Sequence, residues 1–370
     1  MKLLMDADTV GGVFTYAVEL CRALGARGVE VALATKGASL SRAQRTQLAA
    51  LDNVQVFESA LKLEWMAAPW DDVARASDWL LALEAKLRPN IVHLNDYAHG
   101  ALPFVAPVVV VGHSCVVSWF QAVKGQPLPP EWERYREEVT RGLQGADVVV
   151  APSRAMLASL AENYGPILSG RVIHNARNPA LFHPARKEPL VFAAGRLWDE
   201  AKNLSALEAV AGRLPWPVYV AGDCTSPDGG EVRPSAVNAL GHLPPEQLAG
   251  WLGRAAIYAF PARYEPFGLS VLEAALSGCA LVLGDVPSLR ELWGEAALFV
   301  APDDPDALRG TLAELTSSLD RVRELGMLAR ERARAFSPES MATQYLTIYR
   351  ELTARPLRAE GASEDLSCAS

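Results

Sequence analysis

The stretch RYEPFGLSVLEAALSGCA, residues 263–280, decides how the chain is read. A hydrophobic run, AIYAFPA (256–262), comes just before it and CALVLGD (279–285) overlaps its end, so it has the form strand, turn, helix, strand. Glu265 and Pro266 stand ahead of Gly268, and a second carboxylate, Glu273, follows eight residues after the first. Taken by itself the pattern has two readings. Glu265 complements the positive end of a helix and Glu273 is a solvated helix residue. Alternatively, the two carboxylates accept hydroxyls of a polyol, with Gly268 allowing close backbone approach and the amides of Phe267, Gly268 and Leu269 forming an anion site at the helix start.

The same strand–helix alternation runs through the chain. Apolar runs recur at 29–35, 90–95, 107–113, 146–152, 170–175, 189–195, 217–223, 236–241 and 297–302. Most are near-continuous in Val, Ile, Leu and Ala, as expected of parallel strands covered on both faces. Segments such as GGVFTYAVELCRALGARG between them have helical periodicity and terminal glycines. This predicts an α/β chain of two Rossmann-like, doubly wound parallel sheets facing across a cleft. The Pro-, Asn- and Arg-rich segment 175–189 separates them. The expected domains are residues 1–180, an acceptor-side unit, and 181–336, a donor unit. A final helix at 337–352 has the first domain as its candidate partner, and a polar tail at 353–370 is expected to be disordered.

Bulk properties narrow the function. The 370 residues carry a net charge of -8, with 50% hydrophobic and 21% charged side chains. Neither half has the basic excess of a nucleic-acid binder. No apolar run approaches the roughly 18 residues of a membrane span. The N-terminus, MKLLMDAD, lacks the pattern of a secretory leader. Five widely spaced cysteines with no CxxC fit buried thiols in a reducing compartment, so a cytoplasmic location is expected.

Ligands of such sheets bind beyond the carboxyl ends of the strands. Arg196 follows one strand in AAGRLWDEAKNL (193–204), and Lys202 comes six residues later. Either is unremarkable as a surface cation. Together at a strand–loop–helix junction they suit a diphosphate, the guanidinium as a fork and the ammonium as a point charge. Gly11-Gly12 open a helix in the first half, and His113 ends the strand of PVVVVGHS, where ligand contact and core packing are equally good readings.

These segments resemble those of retaining glycosyltransferases of the GT-B fold, specifically family 4 (glycosyl transferases group 1). The matching pieces are the GG pair, GHS at His113, APS at Ser153, VIHN at Asn175, GRLWDEAKN, VAGD and above all YEPFGLSVLEAALSGCALVLGD. They span roughly residues 1–350. After Asn175 the family carries Gly where this chain has Ala176. The resemblance implies transfer of a hexosyl group from a nucleotide-diphosphate sugar to a hydroxyl acceptor. Glu265 is then expected to bind the donor sugar and Glu273 the ribose. Arg196 and Lys202 hold the diphosphate, His113 touches the sugar, and Gly11, Gly12, Phe267, Gly268 and Leu269 approach sugar or phosphate. The expected outcome is retention by front-face attack, with a UDP- or GDP-sugar as substrate and no cofactor. A related epimerase acting on sugar nucleotides and a non-catalytic nucleotide-sugar-binding subunit are the alternatives.

Asp6-Ala7-Asp8 forms a DxD string of the kind that binds a cation in another glycosyltransferase fold; its shortness and the cations nearby make it a coincidence, and no metal is expected. The acceptor, a saccharide, lipid or small molecule, should meet the first domain, which is also the candidate face for peripheral membrane contact. Trp65, Trp70, Trp79, Trp119, Phe120, Trp132 and Tyr135 occur at spacings that favour core packing for most of them, and Asp96 and Tyr97 are candidate cleft residues.

Overall fold

The computed structural model describes residues 1–227 and 229–354, so most of the tail expected at 353–370 lies outside the described residues. Seven strands form the first sheet: β1 (Lys2–Asp8), β2 (Glu30–Lys36), β3 (Val54–Glu58), β4 (Ile91–Leu94), β5 (Val108–Val111), β6 (Val148–Ala151) and β7 (Gly170–Val172). Six form the second: β8 (Glu188–Ala194), β9 (Val218–Ala221), β10 (Asn238–Ala239), β11 (Ala255–Phe260), β12 (Ala280–Gly284) and β13 (Leu298–Val300). Every ladder is parallel, in the orders β3-β2-β1-β4-β5-β6-β7 and β10-β9-β8-β11-β12-β13.

Both faces of each sheet are covered, which explains the unbroken apolar runs. Leu3, Met5 and Ala7 of β1 join one core, with helix Gly12–Gly25, while Leu4 joins the core on the opposite face. In the second sheet Leu190, Phe192 and Ala194 face helix Leu269–Leu276, and Val191 and Ala193 face helix Leu204–Ala211. Of the strands, β1 and β3 are outside the apolar runs, and of the two β3 is the one without a buried face. It lies at the sheet edge, and its VQVFE sequence is only half-covered or exposed throughout.

Strand order reverses between β1 and β4 in one sheet and between β8 and β11 in the other. The crevices beyond those strand ends therefore fall after Asp8 and Leu94 on one side and after Ala194 and Phe260 on the other.

The last helix, Pro338–Thr353, returns to the first sheet. Met341, Tyr345 and Tyr349 are buried in the core that contains Leu3 and Met5. The Tyr16 hydroxyl donates to Tyr345 Oη at 2.7 Å, and the ring nitrogens of His93 lie 3.3 and 2.7 Å from the hydroxyls of Tyr16 and Tyr349. Burying each tyrosine stabilises the strap by on the order of 4 kcal/mol before the cost of ordering it.

Candidate functional site

A cavity of about 820 Å³ lies between the carboxyl edges of the two sheets. His113, Arg196, Lys202, Glu265, Gly11, Gly12, Phe267, Gly268, Leu269 and Glu273 all line it. Sequence positions more than 250 residues apart are thus brought to one place, and the reason is the pair of strand-order reversals.

On the second-half wall, β8 is followed by Gly195 and Arg196. Gly222, with φ 142°, packs so closely on this turn that a Cβ there would sit 1.7 Å from the Gly195 carbonyl oxygen. Lys202 closes a short 3-10 turn, Glu200–Lys202, which Asp199 caps by accepting the Ala201 N–H at 3.0 Å. Asp199 also accepts from Arg196 at 2.9 Å and lies 3.9 Å from the Lys202 ammonium. Burial pushes the Asp199 carboxyl up, but Lys202 and Arg196 outweigh it and hold it below the ordinary carboxylate range. Lys202 in turn donates to Glu265 Oε2 at 2.9 Å. The four side chains form one chain of alternating charge along the cavity wall.

The opening segment places Glu265 just ahead of a helix and buries Glu273 within it. The helix begins at Leu269, with Gly268 in the left-handed region at φ 86°, and runs to Leu276. Glu265 Oε1 accepts the amides of Gly268 at 2.9 Å and Phe267 at 3.4 Å. Two of the three amides expected to face a ligand are therefore bonded by Glu265 itself, in the turn just ahead of the helix, while its other oxygen pairs with Lys202. Glu273 is not a solvated helix residue: it is 6% exposed and pairs with Arg177 at 2.7 Å. Arg177 also donates to Glu19 at 2.8 Å, so a buried Glu19–Arg177–Glu273 triad joins the two halves through the connecting segment. Burial raises the Glu273 carboxyl and Arg177 opposes the rise.

On the first-half wall, Gly11, at φ 91°, brings its backbone to Arg196: a Cβ there would lie 3.6 Å from the guanidinium Nη1. His113 sits edge-on to Tyr16, with Nε2 2.8 Å from Asn95 Oδ1, and burial pushes its imidazole down to about 3, so it is neutral. Asp6 and Asp96 do not project freely. Both bond the Lys36 ammonium, with His99 beside them, and burial raises Asp6 to about 6 against the pull of Lys36. Asp6, Asp96 and His99 are the one group of possible metal ligands among the described residues, and the ammonium lies against all three. Asp8 accepts the Val10 amide, and burial raises it to about 7.

The aromatic residues correct the core reading in part. Trp70 and Trp79 pack against the first-half core, Trp65, Trp132 and Tyr135 join that core and also line the cavity, and Trp119 and Phe120 line the cavity. Several bonds tie the walls together. Trp119 Nε1 donates to Asp199, Ser153 Oγ to the Pro266 carbonyl at 2.8 Å, and the Cys115 amide to the Tyr264 hydroxyl at 3.1 Å. Asp199 and Arg177 were not singled out from sequence. Asp199 had a signal, an acid between two cations; Arg177 had none beyond its place after Asn175-Ala176.

Residues 10–181 match the family model described as Glycosyltransferase Family 4, and residues 188–318 that described as Glycosyl transferases group 1. The alpha-maltose-1-phosphate synthase of Mycolicibacterium smegmatis is 30% identical over 253 residues, 57% of this chain and 65% of that one, so the match spans less than two thirds of that relative. Among solved structures, the sucrose-phosphate synthase of Thermosynechococcus elongatus superposes with a TM-score of 0.82 at 21% identity, over 96% of this chain and 99% of that one. The Anabaena HepE protein in complex with UDP-glucose gives 0.74 at 17% identity, over 95% and 100%. At these identities the likeness shows the fold, two parallel-sheet domains in the GT-B arrangement.

Proposed function

Because the chain belongs to the glycosyltransferases that these two models describe, we propose that it moves a hexosyl group from a nucleotide-diphosphate sugar to a hydroxyl acceptor, with retention and without a metal ion. The observation that carries this is the Arg196–Asp199–Lys202–Glu265 chain on the cavity wall. It holds two cations, already oriented, next to a carboxylate that can release one of them.

In this reading the donor diphosphate takes Arg196 and Lys202. Lys202 turns from Glu265 to phosphate, and the freed Glu265 oxygen accepts sugar hydroxyls. Glu273, oriented by Arg177, accepts the ribose hydroxyls. His113, neutral at its burial, borders the sugar as a hydrogen-bonding group rather than as a charge. The bond between the anomeric carbon and the phosphate oxygen breaks, and negative charge grows on that oxygen, where Arg196 and Lys202 stabilise it. The acceptor oxygen bonds to the same face of the anomeric carbon, and its proton passes to the departing phosphate oxygen. The products are a glycoside and a nucleoside diphosphate.

Two fixed cations beside the diphosphate support metal independence, and the UDP-glucose bound by HepE favours a uridine donor over a guanosine one. Cys21, Cys115, Cys224 and Cys279 are free thiols, which supports a reducing, cytoplasmic setting. No described helix is long and apolar enough to cross a membrane.

The test is nucleoside diphosphate release from UDP- and GDP-sugars with a panel of acceptors in EDTA, with the product anomer read by proton NMR. The expected result is release with at least one donor and a product of the donor's anomeric configuration. Inversion, or loss of all activity in EDTA, contradicts the proposal.

A further inference from the structure

Glu265 sits in a short peptide that both halves of the chain hold. From the second half, the Arg263 amide donates to the Ala201 carbonyl at 2.8 Å, and Ser288 Oγ donates to the Glu265 carbonyl. The first half grips the residues on either side of Glu265. The Tyr264 hydroxyl accepts the Cys115 amide at 3.1 Å and lies 3.4 Å from Ser114 Oγ and 3.5 Å from Met156 Sδ, all of them first-half groups. Ser153 Oγ donates to the Pro266 carbonyl at 2.8 Å. Both first-half anchors are themselves fixed. Ser153 is fully buried and also accepts the Met156 amide at 3.1 Å as the cap of helix Arg154–Tyr164. Cys115 stands at the start of helix Val116–Trp119, two residues after His113.

These anchors gain weight when a donor binds. In the free chain Lys202 holds Glu265 Oε2 at 2.9 Å. Once Lys202 turns to phosphate, that restraint is gone. The aim of the carboxylate then rests on its bonds to the Phe267 and Gly268 amides and on the backbone that carries it. Pro266 has a fixed φ and disfavours the helical region at Glu265, so a shift of Tyr264 or Pro266 is passed on to the carboxylate rather than absorbed. The Tyr264–Cys115 bond also ends two residues from His113, on the opposite wall of the same cavity. It therefore fixes the spacing of the two side chains that border the sugar. A misplacement of about 1 Å in such a constellation costs on the order of a hundredfold in rate.

We infer that Tyr264 and Ser153 are positioning residues: their hydroxyls clamp the Tyr264–Pro266 peptide to the first half and so set Glu265 opposite His113 for the donor sugar. This rests on the glycosyl-transfer reading above. The diphosphate and ribose draw on Arg196, Lys202 and Glu273 of the second half, so nucleotide binding does not need the clamp, whereas sugar placement does. Tyr264→Phe keeps the ring and removes the hydroxyl. Ser153→Ala removes the bond to Pro266 together with the helix cap. Nucleoside diphosphate release is measured with UDP-glucose and GDP-mannose over the acceptor panel above, and UDP and GDP affinities by calorimetric titration. The expected result is a kcat about tenfold lower in Tyr264→Phe and at least as low in Ser153→Ala, with nucleoside diphosphate affinity unchanged. If loss of the cap prevents Ser153→Ala from folding, Tyr264→Phe decides alone. Unchanged turnover in either variant overturns the clamp and leaves the donor reading intact, as does a loss of nucleoside diphosphate affinity that matches the loss of turnover. No turnover of either nucleotide sugar by the wild-type chain, with no binding of UDP or GDP, overturns the donor reading and this inference with it.

Discussion

Trp119 and Asp199, from opposite halves of the chain, are joined by an indole N–H to carboxylate hydrogen bond of 3.0 Å. The same carboxylate holds Arg196 at 2.9 Å. The wall expected to meet the acceptor is therefore bonded to the group that orients the diphosphate cations. Trp119→Phe keeps the ring and removes the bond, which to a charged acceptor is worth about 1.5–3 kcal/mol. The expected outcome is a fall in kcat/KM of roughly ten- to a hundredfold. Asp199→Asn is expected to lower kcat while leaving nucleoside diphosphate affinity unchanged or tighter, because the cations lose their competing carboxylate. Steady-state kinetics together with a calorimetric titration separate the two effects, and weaker diphosphate binding in Asp199→Asn contradicts the account.

Glu265 accepts the Gly268 amide and pairs with Lys202, and two variants separate these contacts. Glu265→Gln keeps an oxygen for the Gly268 amide but loses the charge opposite Lys202. Glu265→Ala loses both, adding the loss of an amide hydrogen bond to a charged acceptor, about 1.5–3 kcal/mol. Both are expected to lower transfer by orders of magnitude while nucleotide binding survives, but only Glu265→Ala lowers the melting temperature noticeably. Wild-type turnover in Glu265→Gln removes this residue from the site.

Arg177 compensates two buried carboxylates, Glu19 and Glu273. Arg177→Met leaves Glu273 without its cation and Glu19 with Arg22 alone, 3.5 Å away, and breaking a buried pair from one side costs about 3–5 kcal/mol. Urea unfolding at pH 7 is expected to show a loss of that size, and the loss should shrink at pH 5 as Glu273, raised by burial, takes up its proton more readily. An equal loss at both values contradicts the electrostatic role.

Asp8 gives the sign of a pH effect. Its carboxyl is raised by burial from 3.8 to about 7 in the folded chain, so the folded state holds its proton more tightly than the unfolded one. The stability it contributes is complete below the unfolded value and is lost as pH rises through about 7. Melting temperature should thus fall from pH 5 to pH 8, and less steeply in Asp8→Asn. Identical slopes in calorimetric scans contradict it.

Both sheets were legible in sequence because strands covered on two faces must be continuously apolar, and β3 was missed because an edge strand is not. The second-half site was legible for a related reason: Arg196, Lys202 and Glu265 all lie in the loops that follow strand ends β8 and β11, where the fold aims side chains into the crevice. What sequence spacing could not show is which charges neutralise one another. Glu273 reads as an exposed helix acid until Arg177, 96 positions earlier, is seen against it. Likewise the DxD string reads as a coincidence, but its spacing does not show that Lys36 is the cation bonded to Asp6. Such pairings depend on tertiary contact and leave no local pattern.

The central claim is that Arg196 and Lys202 hold a nucleotide-sugar diphosphate without metal. The most direct test is a calorimetric titration of UDP-glucose and GDP-mannose, in EDTA, into the wild-type chain and Lys202→Ala. Losing a charged partner of phosphate costs about 2 kcal/mol or more, so one donor should bind wild type and bind the variant at least about thirtyfold more weakly. Equal affinity for wild type and variant, or binding that appears only when a divalent cation is added, contradicts the account.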